Sequence, residues 1–333
     1  MEKTGITVAG SMVADLYYEI DTYPRQGLLT NIRAIHGAVG GTGNLILDLA
    51  RLDPALPVRV SALVGRDDSG EMMASALSRY PNIDLRGLVR EGQSSVDHVM
   101  EPRDTRQRTF FYLAGANDVY DMSCIDWAAA DAKIFHLEYL LLMARVDAPD
   151  PEFGTHGARI LHEARARGML TSVDMVSERS ERSARVVSAA LRYTDYCTIN
   201  EYEAETVTGV PVTDAASAEK ALLALRDLGV ARWAVIHSPA FGWGLDCRTG
   251  EFVECPSLRL PAGFIRGTTG AGDAYCAGIL YGAYTGMPLG RALRFACAAA
   301  ACSLSGVNGT DAVPEAAGVW EIYARYCERG AGE

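Results

Sequence analysis

The chain predicts an α/β fold: a three-layer αβα sandwich with a mostly parallel central sheet and a small separate β-sheet. Three observations predict it. From residue 133 onward, short apolar runs of strand length (Lys133–Leu137, Met169–Asp174, Tyr196–Ile199, Trp233–His237) alternate with helical patterns over Thr155–Arg167, Glu181–Leu191, Glu201–Thr208 and Ala215–Leu228. Such alternation argues for a parallel sheet covered on both faces. Two blocks, 16–36 and 91–115, break the alternation and read as β-rich segments outside the main sheet. No internal repeat or low-complexity linker appears, so 1–333 is expected to form one large domain with those blocks as an insertion.

The elements follow in order. Ile6-Thr7-Val8-Ala9-Gly10 is an apolar run ending in Gly, the form of a buried strand. Asp15 comes just past its C-terminal end, where ligands bind in open α/β sheets. Leu16 to Ile35 alternates in part and is interrupted by Pro24 and Gly27. Gly37-Ala38-Val39-Gly40-Gly41-Thr42-Gly43-Asn44 then precedes a helical pattern marked by Leu45, Leu49 and Leu52. Asn44 fits a helix N-cap. It fits equally a donor and acceptor for a small polyol lying on the glycine backbone.

Val58 to Gly65 is the next strand, Ser69 to Arg79 a helix, and Ile83 to Val89 and Ser94 to Met100 strands. The polar run 101–108, with Arg103, Arg106 and Arg108, leads into Thr109-Phe110-Phe111-Tyr112. Three arginines could grip a phosphorylated molecule, but such a run is more often a solvated turn, and that reading is preferred.

Near the C-terminus, Gly267-Thr268-Thr269-Gly270-Ala271-Gly272-Asp273 opens an apolar helix. The first amides of a helix have no intrahelical partner and carry partial positive charge. Gly270, Ala271 and Gly272 leave those amides open to a phosphate. A carboxylate there, Asp273, is suited to take a proton from an attacking hydroxyl. By itself the segment fits an ordinary Gly-rich turn with an acidic first turn just as well.

Thr268-Thr269-Gly270-Ala271-Gly272-Asp273-Ala274 resembles the C-terminal signature of the ribokinase-like (pfkB) carbohydrate kinases, and the segment Gly37 to Asn44 resembles that family's N-terminal Gly-Gly-x-Gly-x-Asn motif, departing at Ile46, where a small residue is usual. Both occur in the family's order. The resemblance implies ATP-dependent transfer of a phosphoryl group to an alcohol of a sugar or sugar-like molecule, with Asp273 as general base and the amides of 270–272 on the transferring group. It implies that 16–36 and 91–115 form the family's lid, through which members can dimerise. Asp15, Gly40, Gly41, Asn44 and Glu138 would hold the acceptor. Thr268, Ser238, Gly242, Gly244 and Cys297 would border the nucleotide. Asn200 and Glu203 match the family's Asn-x-x-Glu, which arranges water around Mg²⁺; the same pair also fits a capping box. Glu138, at the end of the strand 134–137, fits an exposed strand-end carboxylate equally well. Gly267 replaces the signature's usual Asp, a position that helps form a monovalent-cation loop, so dependence on such a cation stays open. A nucleoside or sugar-phosphate kinase of the same family, or a non-catalytic sugar-binding protein, are the alternatives.

A formal net charge of −11 argues against a nucleic-acid partner and against anionic membranes. There is no run of about 18 apolar residues to span a bilayer, and Met1 to Gly5 lacks a basic leader. Eight scattered cysteines without a Cys-x-x-Cys pair read as free thiols, which points to the cytoplasm.

Overall fold

The computed structural model describes residues 3–105, 107–178, 180–306 and 311–327. Met1, Glu2 and Arg106, which entered the sequence reading, lie outside the described residues. In chain order the principal elements are β1 (Ile6–Gly10), β2 (Met12–Ile20), β3 (Ile32–Gly41), α1 (Thr42–Leu52), β4 (Val58–Val64), α2 (Asp68–Leu77), β5 (Ile83–Arg90), β6 (Ser95–Pro102) and β7 (Thr109–Leu113). There follow β8 (Ile134–Leu140), α3 (His156–Ala166), β9 (Leu170–Met175), α4 (Ser183–Leu191), β10 (Tyr196–Asn200), α5 (Glu201–Thr208) and α6 (Ala215–Leu228). The chain ends with β11 (Trp233–His237), β12 (Phe241–Asp246), β13 (Glu251–Pro256), α7 (Ala271–Thr285), α8 (Leu289–Leu304) and α9 (Ala316–Tyr326).

The large sheet has nine strands in the order β13-β12-β11-β10-β9-β8-β1-β4-β5. All neighbours from β11 to β5 are parallel; only β12 and β13 add antiparallel pairs at one edge. Its inner strands are buried on both faces, which is why they read as continuous apolar runs rather than alternations. One face carries a core with Leu45, Leu49, Ile279, Leu280 and Phe295 from α1, α7 and α8. The other carries Ile160, Leu161, Val186, Leu222 and Leu225 from α3, α4 and α6. These are the two helical layers that strand–helix alternation demands.

The two β-rich blocks meet in one four-stranded sheet, β3-β2-β6-β7. It starts at Met12 rather than Leu16, because β2 continues from β1 with only Ser11 between them. Asp15 therefore lies within a strand of this second sheet and not in a loop after β1. Ser11 fixes the branch point: its N–H donates to the Glu138 carbonyl at 2.8 Å and its carbonyl accepts from Thr42 N–H at 2.7 Å.

Ser238, Gly242 and Gly244, expected to border the nucleotide, belong to a hairpin in which β12 runs antiparallel to β11. Gly242 and Gly244 are strand residues there. A Cβ on Gly242 would lie 2.1 Å from the Tyr275 hydroxyl, and one on Gly244 3.1 Å from Leu289 and Leu293. Helices α7 and α8 approach closely through Gly278, where a Cβ would lie 2.5 Å from Ala296 Cα. Gly278→Val should therefore destabilise the fold, since overpacking a close backbone contact costs about 1–3 kcal/mol. A thermal unfolding midpoint equal to that of the parent chain would disprove this contact.

Candidate active site

The first turn of α7 stands at the centre. Gly270 is its N-cap with φ +79, a left-handed conformation that favours glycine, and no side chain caps the helix. Ala271 and Gly272 follow and line a cavity of roughly 700 Å³ with Asn200, His237, Ser238 and Thr268. Cys297, from α8, lines it as well. His237 and Tyr275 stack beside it with ring centroids 4.9 Å apart. Burial drives His237 down to about 4, so it is neutral at physiological pH. Of the expected nucleotide-side residues, Thr268, Ser238 and Cys297 border this cavity; Gly242 and Gly244 do not, being held in β12 by packing.

Asp273 lies beneath that turn and is buried. Asn44 Nδ2 donates to its Oδ2 at 2.9 Å, and the Tyr139 hydroxyl donates to its Oδ1 at close range. Asn44 is therefore not the N-cap of α1. Gly41 occupies that place with φ 60, because a Cβ there would strike the Ser11 carbonyl at 2.3 Å. Asn44 sits one turn in and spends its amide on Asp273. Burial raises the Asp273 carboxyl above the usual carboxylate range, and the bonds from Tyr139 and Asn44 pull it back only in part.

Glu138 is not at an exposed strand end. β8 runs on to Leu140 and buries it completely. Its Oε2 is 2.9 Å from His136 Nε2, and Ser172 Oγ is 2.9 Å from the other ring nitrogen. Burial lowers His136 to about 3, so this contact is a hydrogen bond from a neutral imidazole, not an ion pair. Glu138 Oε1 is buried with no hydrogen-bond partner. Carboxylate oxygens of Glu138, Asp174 and Asp273 lie within 4.8 Å of one another. Asp174, on β9, is a member of the site that the sequence reading missed, as are Tyr139, His136 and His237. An Asp at the carboxyl end of a strand beside the one that carries Glu138 was the available signal for Asp174.

Asn200 and Glu203 form a complete capping box: Asn200 Oδ1 accepts from the N–H groups of Tyr202 and Glu203, and Glu203 Oε2 accepts from Asn200 N–H at 2.8 Å. Ser177 Oγ donates to Glu203 Oε1 at 2.7 Å. Burial first raises the Glu203 carboxyl to about 7, and Glu203 in turn acts on Asp174. Asp174, with the Glu203 carboxyl acting on it, offers oxygen donors of the kind that suits a hard divalent cation.

On the other side of Asp273, the second sheet brings Asp15 against Gly40, where a Cβ would lie 2.4 Å from Asp15 Oδ2. Gly40 is small because Asp15 needs the space. Burial, then Asp97 and Asp273, raise Asp15 to about 7. The arginine run behaves differently along its length. Arg103 pairs with Glu19 at the surface. Arg108 is instead largely covered: its Nη1 donates to Thr269 Oγ1 at 2.8 Å, which ties the second sheet to the loop before α7. A solvated turn does not describe Arg108.

A cavity ending on an open helix N-terminus, with a buried carboxylate just beyond it, is the arrangement of a phosphotransferase. The family model "pfkB family carbohydrate kinase" matches residues 3–316, and the chain belongs to that family of enzymes. It is 25% identical over 321 residues to the ribokinase of Haemophilus influenzae, covering 94% of this chain and 96% of that protein. It is 26% identical over 291 residues, 83% of this chain, to the bifunctional protein HldE of Trichlorobacter lovleyi, and spans 53% of that protein's length. The structure of Arabidopsis thaliana ribokinase complexed with ribose and ATP superposes with a TM-score of 0.81 at 21% identity, over 97% of this chain and 99% of that one. The fold is thus the ribokinase fold.

Replacing Glu203 by Gln keeps a capping-box residue but removes the charge. Glu203→Gln should raise the Mg²⁺ concentration needed for half-maximal rate while leaving thermal stability nearly unchanged. Titration of the rate against Mg²⁺ at fixed ATP checks this; a loss of stability with an unchanged Mg²⁺ profile would reduce the pair to a cap.

Proposed function

We propose that this enzyme transfers the terminal phosphoryl group of ATP to an alcohol of a sugar or sugar-like small molecule, with Asp273 as general base. One observation carries the reading: Asp273 is the hinge between two spaces. Its own helix turn lines the nucleotide-sized cavity, while Asn44 reaches it from the side on which Asp15 and Gly40 lie.

In the reaction the acceptor oxygen attacks the terminal phosphorus, the bond to the ADP oxygen breaks, and the hydroxyl proton passes to the Asp273 carboxylate. The amides of Gly270, Ala271 and Gly272 face the charge that builds on the transferring group. Thr268, Ser238 and Cys297 border the nucleotide. Asp15, Gly40, Gly41, Asn44 and Glu138 orient the acceptor, and Tyr139 holds Asp273 in place through its hydroxyl. Mg²⁺, which neutralises phosphate charge when bound, would be held by Asp174 and, through water, by Asn200 and Glu203. The four-stranded sheet acts as a lid within one large domain, with Arg108 fastening it to Thr269 and excluding water that would hydrolyse ATP. Its exposed Ile35, Phe110, Phe111 and Leu113 support a dimer closed lid to lid. Monovalent-cation dependence is open, since Gly267 supplies no side-chain ligand.

Release of ADP from ATP and Mg²⁺ with a panel of sugars, sugar phosphates and nucleosides tests the reading. Asp273→Asn should leave ATP binding intact and depress turnover by about 10²–10⁴-fold; near-normal turnover would remove Asp273 from the mechanism. Because only the ionised carboxylate acts as base and its pKa is raised, kcat/KM of the parent enzyme should fall as pH drops through a point above the ordinary carboxylate range. A profile flat down to pH 4 would contradict that assignment.

A further inference from the structure

The acceptor end of the site contains a second carboxylate that the reaction as described does not use. In the parallel pair of β2 and β6, Asp97 stands directly opposite Asp15. Residues paired across adjacent strands project from the same face, and the strands are about 4.8 Å apart. The two carboxyl groups are therefore side by side on the lid face that carries Asp15. Asp97 is half-buried, and its Oδ1 is buried without a hydrogen-bond partner. A carboxylate oxygen withdrawn from water and left unpaired in the protein is matched by a donor on a ligand.

The charges around this pair decide what kind of ligand. Asp15 feels Asp97 and Asp273 as like charges, with Arg108 as the opposing cation. The Arg108 guanidinium is already engaged. It donates to Glu101 Oε1 at 3.2 and 3.4 Å and to Thr269 Oγ1 at 2.8 Å, and it lies 5.3 Å from the centre of the Tyr17 ring. Arg103 is paired with Glu19. Recognition of a phosphate calls for uncommitted arginines or an open helix N-terminus. Two helices start here without a side-chain cap: α7 faces the nucleotide cavity, and α1 starts at Gly41 with its first amide, Thr42 N–H, already given to the Ser11 carbonyl at 2.7 Å. Among the described residues around Asp15, carboxylates outnumber cations, so an anionic substituent would meet repulsion there.

We infer that Asp97 is a second acceptor-binding carboxylate, paired with Asp15, and that the pair admits an uncharged or amino-bearing polyol while excluding a phosphorylated one. The inference rests on the kinase reading above and deepens it by naming the acceptor class. Both kinds of acceptor share one chemistry, since each presents only hydrogen-bond donors and acceptors to the pair and no anion. Hydroxyls can bridge the two carboxyl groups, and an ammonium can do so with charge assistance.

The test measures ADP release from ATP and Mg²⁺ with D-ribose, D-fructose and myo-inositol, with D-glucosamine, and with D-ribose 5-phosphate and D-fructose 6-phosphate. The expected result is turnover of a free or amino polyol with kcat/KM at least about 100-fold above that of any phosphate ester, because like charges set against each other suppress the wrong partner. Asp97→Ala should then raise KM for that acceptor by about tenfold, with KM for ATP and kcat changed less than twofold. Asp97→Asn, which keeps the shape should the alanine variant fold poorly, separates the two sources. It should retain most activity on a hydroxylic acceptor and lose it on an amino one. Asp97→Lys should narrow the discrimination against the phosphate esters. A parent enzyme that prefers a phosphate ester overturns the inference and leaves the kinase reading standing. An unchanged acceptor KM in both Asp97→Ala and Asp97→Asn also overturns it. An enzyme that binds ATP yet is inert to every acceptor overturns the kinase reading, and the inference falls with it.

Discussion

The burial of several carboxyl groups at one edge of a parallel sheet is the constraint on which the rest of this structure depends. Glu138, Asp174 and Asp273 are all buried with oxygens within 4.8 Å of one another, and Asp48 lies behind them with neither oxygen paired. Like charges so close and so dry cannot all be ionised, and burial raises each of the four. A carboxyl whose pKa is higher folded than unfolded stabilises the fold at low pH. That contribution is lost as pH rises through the folded value. The apo protein therefore carries an electrostatic load at neutral pH that grows as protons leave. Donors at Asn44, Tyr139 and His136 relieve part of it. A divalent cation with its nucleotide would relieve more, so occupancy of the site and stability of the fold are coupled.

The chain path explains how such distant residues converge. β1 is an inner strand, and after Ser11 the backbone swings out as β2 and returns along β3 into α1. Ser11 bonds both β8, at the Glu138 carbonyl, and the first residue of α1, Thr42. One excursion from the sheet thus delivers Asp15, Gly40 and Asn44 to the same corner. Gly10 is part of that economy, since a Cβ there would fall 1.8 Å from the Glu138 carbonyl oxygen. The small residues that mark this region in the sequence are small for packing reasons first, and the ligand-facing geometry follows from the packing.

Much of this was legible in the residues. The extents of α5, α6 and β11 follow from the sequence pattern, with Gly209 and Gly229 stopping α5 and α6. The Gly-rich openings of α1 and α7 were visible because helix starts have a local chemistry. Tyr139 and His136 were not, because nothing in their immediate neighbours distinguishes them, and Asp174 showed only its place at a strand's carboxyl end. They join the site only through the pairing of β8 with β9 and the packing of α7 on the sheet. The place of Gly242 and Gly244 in the β11–β12 hairpin was missed for a related reason: the contacts with Tyr275, Leu289 and Leu293 that put glycine in this strand are remote in sequence. Arg108 was misjudged because its partner, Thr269, is remote in sequence and reaches it only across the cleft.

Asn200 and Glu203 show why a cap and a ligand role need not compete. The capping box and Ser177 use one acceptor site on each Glu203 oxygen, and a carboxylate oxygen has two. Glu203 Oε2 takes the Asn200 N–H and Oε1 takes Ser177, each at good distance. Those bonds hold the carboxylate still and leave a lone pair on each oxygen facing elsewhere. The box also fixes Glu203 in the first turn of α5, close enough to Asp174 to oppose that carboxyl's ionisation. A pair built only to cap a surface helix would gain nothing from being buried beside another acid; the exposed box at Asp214 and Ser217 on α6 caps equally well in water. The burial of Glu203 is thus a cost that capping does not explain, and a cation between Glu203 and Asp174 would remove it.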